Sequence, residues 1–290
     1  SCGWSGSCER CDAHLTWHRG AALLCCHHCG SQRRAPELCP ECQADALVGA
    51  GEGTQQIEEM LEQRYPDCPV LRFDRDRTRG KGVMDQQLET VREGRPCLLV
   101  GTQMLAKGHH FPAVTLVVIV NIDQAMYSAD FRALERMGQM ILQVAGRAGR
   151  MEKAGTVILQ TLHPEHQALQ LLLSSGYEAY ARWLMQERVL AGLPPAGFQA
   201  MLRAEAHDRE VVRTFLAEAA AVFPAGDASV FGPIPALMER LGGRSRMYLV
   251  LQAEKRAALH GQIDAWLPAL RALKSGRKTR WAIDIDPQEM

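Results

Sequence analysis

The sequence lacks any run of the ~18 apolar residues that a membrane-crossing helix needs. Its longest candidate, around residues 116–122 and interrupted by Asn121, is only strand length. It also lacks a surplus of either charge, with 33 Lys plus Arg against 33 Asp plus Glu. A uniformly basic, histone-like chain is therefore excluded, and any nucleic-acid contact must come from local patches. Cysteine is nearly missing after residue 42, where only Cys68 and Cys97 occur, and there is no secretory signal. A disulfide framework is thereby disfavoured. No GxxxxGK[ST] phosphate loop is present, nor an acidic metal-binding box. Gly80-Lys81-Gly82 is no substitute, because it lacks the preceding glycine spacing and the Ser/Thr for Mg²⁺. With no initiator Met, the chain reads as part of something longer. What is present is an ordinary globular composition, 47% hydrophobic and 23% charged over 290 residues. That excludes global disorder and accommodates two domains.

Eight of the ten cysteines fall within the first 42 residues. Three CxxC pairs stand out: Cys8/Cys11, Cys26/Cys29 and Cys39/Cys42. Each can place two thiolates on one tight turn, as tetrahedral Zn²⁺ requires. The spacing predicts an inner site of Cys8, Cys11, Cys26 and Cys29. Cys39 and Cys42 would join Cys2 in an outer, interleaved site. A CxxC partner for Cys2 would lie three residues upstream of it, before residue 1, so the outer site is expected to be incomplete in this chain. Cys25 is surplus and reads as a small buried apolar residue. His14, His18, His27 and His28 are alternative ligands, but four thiolates per site explain more with less. The segment is rich in Gly and polar residues, so metal binding would supply most of its folding free energy.

From residue 46 to about 163 the pattern changes to alternating strands and helices. Helices are expected at 54–65, 84–93 and 131–145, and strands at 69–73, 97–100, 116–122 and 155–161. The 116–122 strand is apolar enough to be covered on both faces. The alternation predicts a parallel sheet flanked by helices. Ligands on such sheets bind beyond the carboxyl ends of the strands, which directs attention to loops near Arg72, Gly101, Asp123 and Thr161. Residues 101–112 leave a buried strand with a Gly-Thr pair and continue through Lys107-Gly108. Small residues there let a backbone approach phosphates, and the Thr102 hydroxyl and Lys107 are donors. By itself that loop reads equally as an ordinary turn with a solvated lysine. Residues 143–150 place Arg147 and Arg150 three apart among small residues, two rigid guanidinium forks suited to phosphate oxygens. Arg72, Arg75, Arg77, Arg79 and Lys81 form a basic run interrupted by Asp74 and Asp76, which reads as a DNA-backbone path or a solvated loop.

Taken together, these residues resemble the C-terminal half of a superfamily 2 helicase. Motif V is similar to 102–112, and motif VI to 143–150 in the form QxxGRxGR. More narrowly, the chain resembles the bacterial primosomal replication-restart helicases. Four features carry this: the cysteine-rich double-zinc insertion, the Gly51–Thr54 turn opening a helix, the run from Asp123 through Asp130-Phe131-Arg132-Ala133 to Arg150, and a tail ending Trp281-Ala282-Ile283-Asp284-Ile285-Asp286-Pro287. The resemblance implies a RecA-like second helicase lobe with a parallel sheet. It makes Arg147 and Arg150 arginine fingers, with Gln143 linking nucleotide and DNA. Thr102, Gln103, Lys107 and Gly108 would couple the bound strand to the ATP cleft. ATP and Mg²⁺ would be shared with an upstream lobe absent here, so this chain alone should hydrolyse ATP negligibly. Implied partners are branched and single-stranded DNA, single-stranded DNA-binding protein, and the primosomal proteins PriB and DnaT; the implied location is cytoplasmic, at the nucleoid.

The last ~90 residues change character. Strands at 200–207, 229–232, 245–253 and 280–285 and helices at 209–222 and 255–273 give the order βαββαβ, a small α+β domain. The expected domains are 1–45 (zinc-binding), 46–198 (helicase lobe with a helical connector) and 199–290 (C-terminal). The run 271–280 carries five positive charges and no acid, which suits DNA phosphates, an acidic protein tail or a solvated linker. Arg256 sits at a helix start, where the dipole disfavours a cation, so an acidic partner is expected there. Trp281 reads as core. Two other readings stay open: a non-catalytic zinc-dependent nucleic-acid scaffold on a degenerate motor lobe, and a zinc module for protein assembly.

Overall fold

A computed structural model describes residues 2–18, 22–45, 53–73, 89, 91, 94–102, 114–128, 130–146 and 155–289. It divides into two compact units, one made of Ser1–Leu47 with Arg182–Met290 and the other of Val48–Ala181. The cysteine-rich lobe is a small antiparallel sheet of β1 (Thr16–His18), β2 (Leu23–Cys25) and β3 (Gln32–Arg34). Its CxxC pairs flank these strands, and Cys25 is buried as expected.

In the second unit, α1 (Thr54–Arg64) precedes β4 (Val70–Phe73), which pairs in parallel with β5 (Leu98–Gly101). A parallel pair also forms between β6 (Leu116–Ile119) and β7 (Thr156–Leu159). Between them lie α2 (Asp123–Met126) and α3 (Ala133–Ala145). The parallel pairing follows the expectation, but β6 does not have two covered faces, since Leu116 and Val118 are about half exposed. It also ends early, because Asn121 takes a left-handed φ of 52° and Asp123 opens α2. The expected helix at 84–93 falls mostly outside the described residues.

The position of α3 is set by polar ties at its start and by a close approach at its middle. Asp130 Oδ1 accepts from the Arg132 amide at 2.9 Å, and Oδ2 takes the Arg136 guanidinium at 2.9 Å. This satisfies an orphan donor of the first turn. Gly138 lies under Tyr180, where a Cβ would come within 2.5 Å of the ring. The Tyr180 hydroxyl donates to the Leu134 carbonyl oxygen. Tyr180 belongs to α4 (Gln167–Leu190), which is broken at Gly176 by a φ of 78°, a conformation natural to glycine.

The C-terminal domain contains β8 (Phe198–Ala206), α5 (Arg209–Ala221), β9 (Ser229–Leu241), β10 (Arg244–Ala253), α6 (Arg256–Ala272) and β11 (Arg280–Ile285). The sheet is antiparallel in the order β11-β8-β10-β9. Asp208 caps α5, accepting from the Glu210 amide at 2.8 Å. Val212, Phe215, Leu216 and Ala219 then form one apolar stripe. On α6 the matching stripe is Leu259, Ile263, Trp266 and Leu270. Both stripes pack on alternate sheet residues, among them Ala200, Leu202, Leu249 and Leu251. Trp266 is fully buried and donates its ring N–H to the Ala219 carbonyl at 3.0 Å, so its one polar atom is satisfied. Trp281 joins the core against Phe215. The expected short strand at 229–232 is in fact the 13-residue β9. Pro233 and Pro235 fall inside it, and β9 is the edge of the sheet, the position where strands tolerate proline.

Candidate functional site

The sulfur atoms of Cys8, Cys11, Cys26 and Cys29 all lie within 4.8 Å of one another, and so do those of Cys2, Cys39 and Cys42. These are the two expected groups, residue for residue, and His14, His18, His27 and His28 belong to neither. The Cys8 and Cys29 sulfurs are 3.8 Å apart. That matches the ~3.8 Å edge of a tetrahedron with ~2.3 Å Zn–S bonds, and is far from the ~2.0 Å of a disulfide. None of the ten cysteines forms a disulfide. The donor set and its spacing therefore fit Zn²⁺, held by four thiolates at the inner site and by at least three at the outer. The inner thiols differ in character. Burial pushes Cys11 up to about 12, while the Ser31 hydroxyl and amide hold Cys29 down at about 6. Metal binding would deprotonate both.

The inner group is closed by the other end of its unit. β9 and β10 are joined by Gly242-Gly243, whose φ values of 62° and 81° make the two-residue turn that glycine permits. The Gly242 amide donates to Cys11 Sγ at 3.2 Å. Gly243 donates to the Arg10 carbonyl at 2.7 Å, and Asp12 donates to the Arg240 carbonyl at 2.9 Å. The Arg240 amide donates back to Asp12 Oδ2 at 2.6 Å. Met238 and Leu241 pack against the buried cysteines. Nothing in sequence spacing pointed to this contact.

The motor residues are described only in part. Thr102 follows β5 at its carboxyl end and is exposed, and Gln143 is exposed in the last turn of α3. Gln103, Lys107, Gly108, Arg147 and Arg150 lie outside the described residues, as do Arg75 and Arg77. Arg72 leaves the basic run: half-buried, it forms an ion pair with the buried Glu58 at 2.8 Å. Arg256 finds its acid within the chain, pairing with Asp286 at 2.7 Å while lying over the Phe198 ring at 4.7 Å.

One constellation went unread. Asp123, just past β6, accepts from the Thr161 hydroxyl and from the Leu162 amide at 2.9 Å, both just past β7. The Thr161 bond first, then the Leu162 amide, hold this carboxyl below the usual carboxylate range. The tie joins the carboxyl ends of neighbouring parallel strands, where such sheets place their ligands. Its signal was two loops singled out separately; their pairing was not visible.

Known proteins match each of these regions. Residues 46–152 match a helicase conserved C-terminal domain, residues 8–34 the PriA DNA helicase Cys-rich region domain, and residues 189–288 the primosomal protein N C-terminal domain. The class is thus a helicase C-terminal lobe with a zinc ribbon and an α+β tail domain. The chain is 42% identical over 292 residues to the replication restart protein PriA of Haemophilus influenzae, covering all of this chain and 40% of that protein. It is 34% identical over 293 residues to the Bacillus subtilis protein of that name, covering 36% of it. It is 38% identical over 260 residues to that of Synechocystis. The chain belongs to the PriA family, and it spans about 40% or less of the length of these relatives.

Proposed function

We propose that this chain supplies the second lobe, zinc module and tail domain of an ATP-driven 3′→5′ DNA helicase that remodels abandoned replication forks and starts primosome assembly. The proposed domains are 1–45, 46–198 and 199–290. The observation that carries the reading is the helicase-domain match over 46–152, which contains both candidate loops. The fixing of α3 by Asp130 and Tyr180 is consistent with it, because that helix delivers Gln143 and leads into 147–150.

On this reading, Arg147 and Arg150 place two guanidinium forks against the phosphates of ATP held with Mg²⁺ by an upstream lobe. Charge accumulating on the transferring phosphoryl group is stabilised by such donors. Gln143 links that site to the DNA. Thr102, Gln103, Lys107 and Gly108 carry lobe closure to the bound strand. Arg75 and Arg77 line the DNA path. Zn²⁺ at the inner cysteine group would be structural, since four thiolates leave no open position for chemistry. DNA, single-stranded DNA-binding protein, PriB and DnaT are the proposed partners, with Arg256 exchanging Asp286 for the carboxylates of an acidic tail on binding.

The test compares the longer protein carrying both lobes with the 290-residue chain. DNA-stimulated ATP hydrolysis should be present in the first and negligible in the second. Appreciable turnover by the isolated chain, or full turnover by an Arg147→Ala, Arg150→Ala variant of the longer protein, would refute the assignment.

A further inference from the structure

A four-thiolate zinc site carries roughly two surplus negative charges. Its sulfurs therefore depend on nearby N–H donors and cations, and such outer partners hold the ligands in place. Inside the first CxxC turn, the Arg10 amide serves Cys8 Sγ at 3.4 Å. Cys11 is 1% exposed, and the Gly242 amide, 231 residues away, donates to its sulfur at 3.2 Å. In a two-residue turn this first central amide has no ladder partner of its own, and here it points at a metal ligand. The rest of the tip is engaged as well. The Arg10 guanidinium donates to the Gly242 carbonyl at 3.2 Å, and that of Arg240 to the Cys8 carbonyl at 3.4 Å. One amide thus reaches a ligand sulfur, and two guanidinium groups tie the tip and the first CxxC turn together through their backbone carbonyls.

We propose that the β9–β10 tip is the outer shell of the inner zinc site, with Gly242, Arg240 and Asp12 as positioning residues, so that zinc retention and the order of this hairpin are coupled. The coupling runs both ways by linkage. A filled site presents a rigid CxxC turn to the hairpin, and a docked hairpin holds Cys11 in its ligating position. The inference rests on the inner cysteines binding zinc.

The experiment uses the zinc-loaded 290-residue chain. Its first readout is hydrogen exchange of the unmodified chain at residues 238–244, with zinc bound and after chelation. Its second is the rate of zinc loss to a competing chromophoric chelator for Asp12→Ala, Arg240→Ala and Asp12→Asn. Loss of protection on chelation is expected, with at least tenfold faster zinc loss in both alanine variants and near-normal loss in Asp12→Asn, which keeps an acceptor for the Arg240 amide. A hairpin whose exchange ignores the metal overturns the coupling, as does unchanged zinc loss in either alanine variant. An unmodified chain that binds no zinc overturns both the coupling and the metal reading beneath it, which separates the two failures.

Discussion

The two units hold together by different means. The C-terminal domain encloses its own core: both helices lay continuous apolar stripes on one face of a four-stranded sheet, and Trp266 lies at the centre with no exposed surface. In the other unit, the described β6–β7 pair leaves Leu116, Val118 and Ile158 about half exposed. Buried Phe73, Ile122, Met137, Ile141, Leu169 and Tyr180 are joined there by particular polar ties: Glu58 with Arg72, Asp123 with Thr161, and Asp130 with Arg136. Non-directional burial tolerates change at the surface of the domain, whereas a unit held by paired groups is sensitive to single side chains.

Five changes test that contrast. The largest effect is on catalysis. In the longer protein, Arg147→Ala or Arg150→Ala should lower ATP turnover by about 10³-fold or more while leaving the circular dichroism melt unchanged; a melt that moves with the activity would make these arginines structural. Trp266→Ala should destabilise the C-terminal domain by about 3–5 kcal/mol in denaturant titration, with the other unit's transition unmoved. A loss shared equally by both would break the division. Arg72→Ala should cost a comparable ~3–5 kcal/mol by removing the cation 2.8 Å from the buried Glu58 carboxyl; a small cost would mean that burial, not pairing, dominates there too. Gly138→Ala should cost about 1–3 kcal/mol by overpacking against Tyr180, visible as a lower melting temperature for the motor unit.

The smallest effect concerns pH. Asp123 is held below the ordinary carboxylate range, so its contribution is fully present above the unfolded value of about 3.9 and lost as pH falls through the lower folded value. Asp123→Asn should therefore be less stable than the parent at pH 5, with the gap closing as acid is added. A gap independent of pH would assign the tie to shape rather than charge.

Much of this was legible beforehand where a residue type has a local job. CxxC spacing named both sulfur groups because two ligands on one turn are a sequence-local requirement. The extents of α5 and α6 were legible because helical period is local too. β9 was not, since a proline's tolerance depends on whether its strand is an edge, and strand order is a long-range fact. Arg72 looked like one of a basic series until Glu58, on another element, was found beside it. The Gly242 contact was the least legible, because it is made by a backbone amide that any non-proline residue would carry.

That contact also has a consequence for synthesis. On a ribosome adding roughly 5–20 residues per second, the cysteine ring emerges long before the amide that completes it. The sequence separation of 231 residues corresponds to a delay of roughly 10–50 s. During that interval a nascent chain that has captured its ion holds it in an unfinished cage, exposed to any competing thiol in the surrounding fluid.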